Sequence, residues 1–371
     1  MKKFMRNKYL GSFGVLLALI VFTFFSCQSG IPKLNAKETQ KMNAITEKMI
    51  PRCFGRYLID LPESFVLNTE GGQKIDGVTI DIRARSEAEF NQGLDARRRV
   101  LESQTLLLEP KITTLKEILP LPNGRGVIFD RAENQFSNLF RTLELMDWRD
   151  GYQIKMEIDA RDRRYSEEKY PEGTVLNTTP EKLAALLKVY HRTRPRGDEI
   201  PSGQGTCILN GFVTGPASSN ESLRFFYHLK DVDDVYFTLA TLSGLRDTDT
   251  LLDRMKFLAP IWKTDGGRLI RSSRLYHHLP GQEVLYMAPD EHTKIPTLQF
   301  LYEDTRREEG VSNPMIEVEM AVGKRKPEPE PEDPDEAPYP PPILAPSLSD
   351  AEAVYLWDKV IATLRTRPGA F

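Results

Sequence analysis

Apolar residues alternate with polar ones at period two in several stretches of the chain, and each such stretch predicts a half-buried strand. Val78, Ile80, Ile82 and Ala84 alternate with Thr79, Asp81, Arg83 and Arg85. Leu139, Arg141, Leu143 and Leu145 face Tyr152, Ile154, Met156 and Ile158 across Asp150-Gly151, a two-residue signal for a type I′ hairpin. Leu223, Phe225, Tyr227 and Leu229 turn at Asp231 to Asp234 into Val235, Phe237 and Leu239, and further strands are readable at 284–287, 298–302 and 316–322. Two short runs, Cys53 to Leu61 and Cys207 to Val213, each read as one strand led by a cysteine.

Helical spacing appears between these strands. Ser86 and Glu89 form a capping box ahead of a helix to about Gln104, with a thin stripe of Phe90, Leu94 and Leu101. Thr179-Pro180 opens a helix with Leu183, Leu186, Leu187 and Tyr190 on one face. Thr250 starts a third, with Leu252, Met255 and Leu258, which Pro260 is expected to stop. Ser349 and Glu352 cap a closing helix bearing Val354, Trp357, Ile361 and Leu364. The order of elements after Cys53 repeats after Cys207, and the lengths match once residues 327–346 are set aside. The predicted fold is α+β: two similar-sized domains, each a mostly antiparallel sheet with packed helices, consistent with a duplicated unit.

The N-terminus sets the compartment. Lys2, Lys3, Arg6 and Lys8 precede a charge-free run from Leu10 to Phe25, the pattern of a secretory signal. A charge-free run of sixteen residues is short for a spanning helix, which needs about twenty apolar ones. Ser26-Cys27 then resembles a lipoprotein cleavage site with Cys27 as the lipidated residue, and Gln28 favours the outer membrane. An uncleaved leader would anchor the chain in the inner membrane instead. The expected organisation is a signal peptide at 1–26, a tether at 27–50 in which Met42, Ile45 and Met49 mark one short helix that Pro51 ends, an N-terminal domain at 51–196, a linker at 197–205 rich in proline and glycine, and a C-terminal domain at 206–371. Within the last domain, 326–346 reads as an exposed insertion, with nine prolines and six acidic residues between 327 and 346.

Charge narrows the partners. Loss of the leader removes four basic residues and no acidic one, which moves the formal charge from −3 to −7. Nucleic acid is therefore not an expected partner. With Cys27 lipidated, only Cys53 and Cys207 remain, and an oxidising compartment favours a bridge between them. The residues also fit two buried free thiols. No nucleophile elbow, dinucleotide loop or zinc-binding helix motif is present, so no catalytic residue, cofactor or metal site is assigned. The arginine clusters at 97–99 and 161–164 read as solvated faces, and Asp231 to Asp234 as a hairpin tip.

The run Cys53-Phe-Gly-Arg-Tyr-Leu-Ile-Asp-Leu-Pro62 resembles the N-terminal domain of the immunity proteins that neutralise phospholipase effectors of the type VI secretion system. Gly205-Thr-Cys-Ile-Leu-Asn-Gly-Phe-Val213 resembles the start of that family's C-terminal domain. The resemblance implies a periplasmic, membrane-tethered inhibitor, not an enzyme, whose two domains hold a cognate lipase with its lid closed. It identifies no effector-binding residue; hairpin and loop tips facing the interdomain cleft are the expected contacts. An envelope scaffolding lipoprotein, and an enzyme with a dispersed site, are the alternatives.

Overall fold

The alternating stretches join into one sheet that runs through both halves of the chain. In the computed structural model the described residues are 33–371, apart from 69–72, 123, 166–170, 245–248, 265, 277, 291–292, 305–312 and 326–342. The leader, Cys27 and most of the proline-acid insertion lie outside the described residues.

The N-terminal half contains helix α1 (Ala36–Thr46), strands β1 (Met49–Phe54), β2 (Tyr57–Pro62), β3 (Phe65–Asn68), β4 (Gln73–Ile75) and β5 (Val78–Ala84), and helix α2 (Glu87–Ser103). It continues through β6 (Leu115–Pro120), β7 (Val127–Ala132), β8 (Phe140–Arg149), β9 (Tyr152–Arg161), α3 (Thr179–Arg192) and β10 (Thr193–Pro195). The C-terminal half follows as β11 (Gly205–Ile208), β12 (Gly211–Thr214), β13 (Glu221–Leu229), β14 (Val235–Leu242) and α4 (Leu251–Thr264). Then come β15 (Arg268–Tyr276), β16 (Pro280–Pro289), β17 (Pro296–Asp304), β18 (Met315–Val322), α5 (Asp350–Ile361) and β19 (Arg365–Thr366).

The main sheet has the order β15-β16-β17-β18-β14-β13-β4-β5-β9-β8-β7-β6, with β3 also on β13. Outward from the β4–β13 junction, β4-β5-β9-β8-β7-β6 and β13-β14-β18-β17-β16-β15 are the same path with the same connections. The unit is duplicated, and the two copies share an edge.

Each cysteine-led run is a hairpin, not the single strand its pattern suggested. Gly55 (φ +54°) lets β1 fold back on β2, and Asn210 (φ +53°) does the same between β11 and β12. A Cβ on Gly55 would lie 2.8 Å from the Thr241 hydroxyl, so that turn needs glycine for space as well as for φ. The period-two reading failed because both runs are buried on both faces and the turn residues do not break the apolar pattern.

The two hairpins are exchanged between the halves. β2 pairs with β19, the last strand of the C-terminal half, through Leu58↔Arg365 and Tyr57↔Thr366. β12 pairs with β10, the last strand of the N-terminal half, through Thr193↔Val213 and Arg194↔Phe212. Cys53 and Cys207, at equivalent positions in the two hairpins, are joined by a disulfide across 154 residues. Gly55 and Cys207 exchange both backbone hydrogen bonds beside it, at 3.0 and 2.7 Å. Buried Arg56 donates to Glu221 at 2.8 Å and to the Ala370 carbonyl, so the hairpin turn of one half grips β13 and the C-terminus of the other.

One apolar core serves both halves on one side of the sheet, taking in α3, α5 and the β1–β2 and β11–β12 hairpins. α2 and α4 cover the opposite side at the two ends with separate small clusters, Phe90, Leu94, Leu101, Phe129 and Met146 for α2, and Leu251, Met255, Val284 and Tyr286 for α4. Both predicted capping boxes, at Ser86 and Ser349, are formed in both directions.

Three expectations give way. The stretch before residue 51 is not all tether: α1 packs on α5, with Met42 buried and Lys41 donating to Glu352 at 2.8 Å. The 197–205 linker is held, because buried Arg367 donates to the carbonyls of Pro201, Gly203 and Gly205 at 2.8, 2.8 and 2.6 Å. Pro260 sits inside α4 rather than ending it. Exchange of the hairpins predicts that cutting the chain does not free its halves. With a protease site placed after the exposed Asp198 and both Cys53 and Cys207 changed to Ala, the two fragments should co-elute in gel filtration; separate peaks would contradict the shared architecture.

Candidate functional site

Large exposed apolar side chains gather at the two outer ends of the sheet, away from the β4–β13 junction. At the N-terminal end three loops meet: 104–114 between α2 and β6, 133–139 between β7 and β8, and 162–178 between β9 and α3. Backbone hydrogen bonds join them, from Leu107 to Gln135 and from Asp162 to Leu139, and Arg163 donates to Leu176 within the third loop. They leave Leu108 83% and Phe136 69% exposed, with Leu107, Ile112, Val175 and Leu176 also at the surface.

A cavity of about 560 Å³ opens among these loops, walled by Leu106, Ile112, Phe136 and Leu139 and floored by Arg141 and Asp162. The floor is a closed electrostatic network. Arg141 donates to Asp130 at 2.9 Å and to Asn138 at 2.8 Å. Asp162, only 1% exposed, accepts from Arg164 at 2.8 and 2.6 Å and from Lys116 at 3.0 Å. The Arg164 hydrogen bonds, followed by Lys116, hold the Asp162 carboxyl well below the usual carboxylate range despite its burial.

The C-terminal end carries the counterpart. α4 and β15 occupy the places that α2 and β6 hold in the other half, and Phe257 (77% exposed), Leu258, Leu269 and Tyr276 (79%) project there. Arg271 on β15 reaches back to Glu283 on β16 at 2.7 Å and to Asp358 on α5, tying this edge to the helix behind it. Trp357 on α5 donates to the same Glu283 at 2.8 Å.

Between α2 and α4, strand parity turns a polar face outward at the centre of the sheet. Thr79 and Arg83 on β5 and Arg224 on β13 are exposed there. Glu317 and Glu319 on β18 lie on the same face, and burial raises the Glu319 carboxyl above its ordinary value. The centre of the sheet is thus charged, whereas the large exposed apolar groups lie farther out.

The arginine clusters are not free faces. Arg97 forms a two-pronged pair with buried Glu144 at 2.9 and 2.7 Å, and Arg131 joins it at 2.6 Å. α2 is thereby tied to the outer face of β8. Asp234 in the β13–β14 turn is buried and accepts from the backbone of Gly323 and Ser347, at 3.1 and 2.8 Å, so the acidic tip is structural. The apolar groups of the N-terminal end escaped sequence reading because their loops have no period, the one signal being the run Leu106-Leu107-Leu108; at the C-terminal end Leu258, read with Leu252 and Met255 as the apolar face of α4, is exposed while Met255 is buried.

Matches to known proteins follow the two halves. The family model described as the Tle cognate immunity protein 4 N-terminal domain matches residues 50–196, and that of its C-terminal domain matches residues 199–369. No curated protein sequence matches significantly. Among solved structures, the apo immunity protein TplEi of the type VI secretion system of Pseudomonas aeruginosa aligns with a TM-score of 0.64 at 21% identity, over 87% of this chain and 98% of that one. A chain of a Tle4–Tli4 complex aligns at 0.63 and 22% identity, over 87% and 98%. TplEi complexed with an "L" peptide aligns at 0.58 and 22%, over 86% and 98%. At these identities the structural likenesses establish a common fold.

Acid should loosen the N-terminal end first. Burial pushes the Glu144 carboxyl up, but Arg97 and Arg131 reverse this and leave it below its ordinary value, as Arg164 does for Asp162. A depressed folded-state pKa stabilises above the unfolded value of about 4, and that contribution is lost as pH falls. Urea midpoints should therefore drop below about pH 4. The drop should be shallower in a Glu144→Gln, Asp162→Asn double variant; an unchanged slope would refute this assignment.

Proposed function

Because the chain belongs to the Tle cognate immunity protein 4 family, in both its N-terminal and its C-terminal domain, we propose that it binds a cognate phospholipase effector of type VI secretion and holds it inactive. The observation that carries this reading is the match of both family domains over nearly all of the described chain. The two apolar ends support it, since exposed patches of this kind mark surfaces that another protein covers.

Inhibition follows from binding one state of the partner. A protein that grips the lipase with its lid closed, and not with it open, shifts the lid equilibrium by the difference between those two affinities. A frame whose halves share a sheet and exchange hairpins has little freedom left to lose on binding, which favours affinity. The chain acts here as an inhibitor and carries out no turnover of its own.

The N-terminal pattern supports export, with Cys27 lipidated and the protein held at the periplasmic face of the outer membrane. A tethered inhibitor placed there would meet a lipase before it reached the producer's phospholipids.

Two measurements test this. Expression of the cognate lipase, directed to the periplasm, should kill cells unless the full chain is co-expressed; death despite co-expression would overturn the reading. Cys27→Ala should move the protein out of the membrane fraction, and persistence in that fraction would count against lipidation.

A further inference from the structure

We propose that Glu319 and Glu317, on the open face of the sheet between α2 and α4, receive a cationic side chain, arginine or lysine, of the bound effector. The inference rests on the reading of the chain as an effector inhibitor.

These two carboxylates stand apart from the other enclosed acids of the molecule. Glu221 is engaged by Arg56, Glu283 by Arg271 and Trp357, Glu352 by Lys41 and Glu303 by Arg254. Glu317 and Glu319 are half-buried, and among the described residues no hydrogen bond or ion pair reaches either of them. Lys324 and Arg224 lower the Glu319 carboxyl only through space, by less than burial raises it. Arg224 stands on β13, two strands from Glu317 across Ala240, about 10 Å away at the backbone. In the other half of the duplicated unit the corresponding strand, β9, carries Glu157, and there Arg131 reaches the carboxylate at 2.7 Å and Lys155 at 3.3 Å. A carboxylate that has given up water without finding a donor costs stability, and groups of this kind gather where function uses them.

The hydroxyl beside them selects the occupant. Tyr236, only 4% exposed, lies on the same face of β14, two residues from Thr238, which is opposite Glu319. Among the described residues its hydroxyl has no hydrogen-bond partner, and the Glu319 charge acts on it directly. A guanidinium or ammonium group carries several donors, enough to serve the carboxylates and the Tyr236 oxygen together, and it supplies the missing positive charge. A neutral donor would leave that charge uncompensated. A divalent metal needs more ligands, and among the described residues no group of three or more acids, histidines or cysteines is placed to hold one.

The test is calorimetry of full-length variants against the purified cognate lipase, with thermal melting of the free chain. Glu319→Gln should weaken Kd by about 30-fold, and Glu317→Gln by a smaller factor. Both should melt at or above the wild-type temperature, since each removes a half-buried charge that the free chain does not hold. Raising salt from about 0.05 to 0.5 M should weaken wild-type binding more than binding by the Glu317→Gln, Glu319→Gln double variant. Asp198→Asn, at an exposed acid on the linker, should bind as wild type does. A change under about threefold for the double variant, with folding intact, overturns the proposal and leaves effector binding standing. Weakened binding that keeps the wild-type salt dependence would identify an uncharged contact and also overturn it. So would a melting temperature lowered by more than about 3 °C in Glu319→Gln, because the free chain would then already engage the carboxylate. Failure of the wild-type chain to bind the lipase removes the functional reading and this inference with it.

Discussion

Everything in this molecule depends on the exchange of two hairpins. Each half of the duplicated unit needs a strand pair to extend the small sheet that follows its closing helix, and each takes that pair from the other half. β1–β2 completes the C-terminal half beside β19, and β11–β12 completes the N-terminal half beside β10. The Cys53–Cys207 disulfide joins the exchanged elements where the two equivalent positions meet. In the chain-entropy picture a loop of this length stabilises by about 5 kcal/mol at most. The shared core contributes on a larger scale, since it fuses two sets of apolar faces that would otherwise be open.

This arrangement explains why the protein's surface features lie where they do. The junction is occupied by structure: Arg56 and Arg367 are engaged by carbonyls and by Glu221, and the guanidinium groups of Arg194 and Arg367 each lie 5.1 Å from the Phe212 ring centroid. The sheet's centre is polar on its open side. Among the described residues, large exposed apolar side chains lie in the loops at the N-terminal end and on α4 and β15 at the C-terminal end.

Local structure was legible in the residues, and long-range structure was not. Asp150-Gly151 adopts positive φ at both positions and makes the hairpin its sequence announces. Phe90, Leu94 and Leu101 are the buried residues of α2, as its stripe indicated, and the closing helix buries Val354, Trp357 and Ile361. The cysteine-led runs misled because fully buried strands have no polar face to set a period, and Gly55 and Asn210 turned them unnoticed. The exchange could not be read at all, for it pairs strands more than 300 residues apart at β2–β19, and no local propensity encodes a partner. The arginine clusters were misjudged for a related reason: Arg97 finds Glu144 only once α2 lies across β8.

A single body holds the two ends at one distance. Spin labels at Leu108→Cys and Tyr276→Cys, both on exposed sites, would measure that distance by pulsed electron resonance with and without bound lipase. The account predicts one narrow distribution that does not move on binding. A broad distribution in the free protein, or a shift of the peak by more than about 5 Å when the lipase binds, would show hinged halves and contradict it.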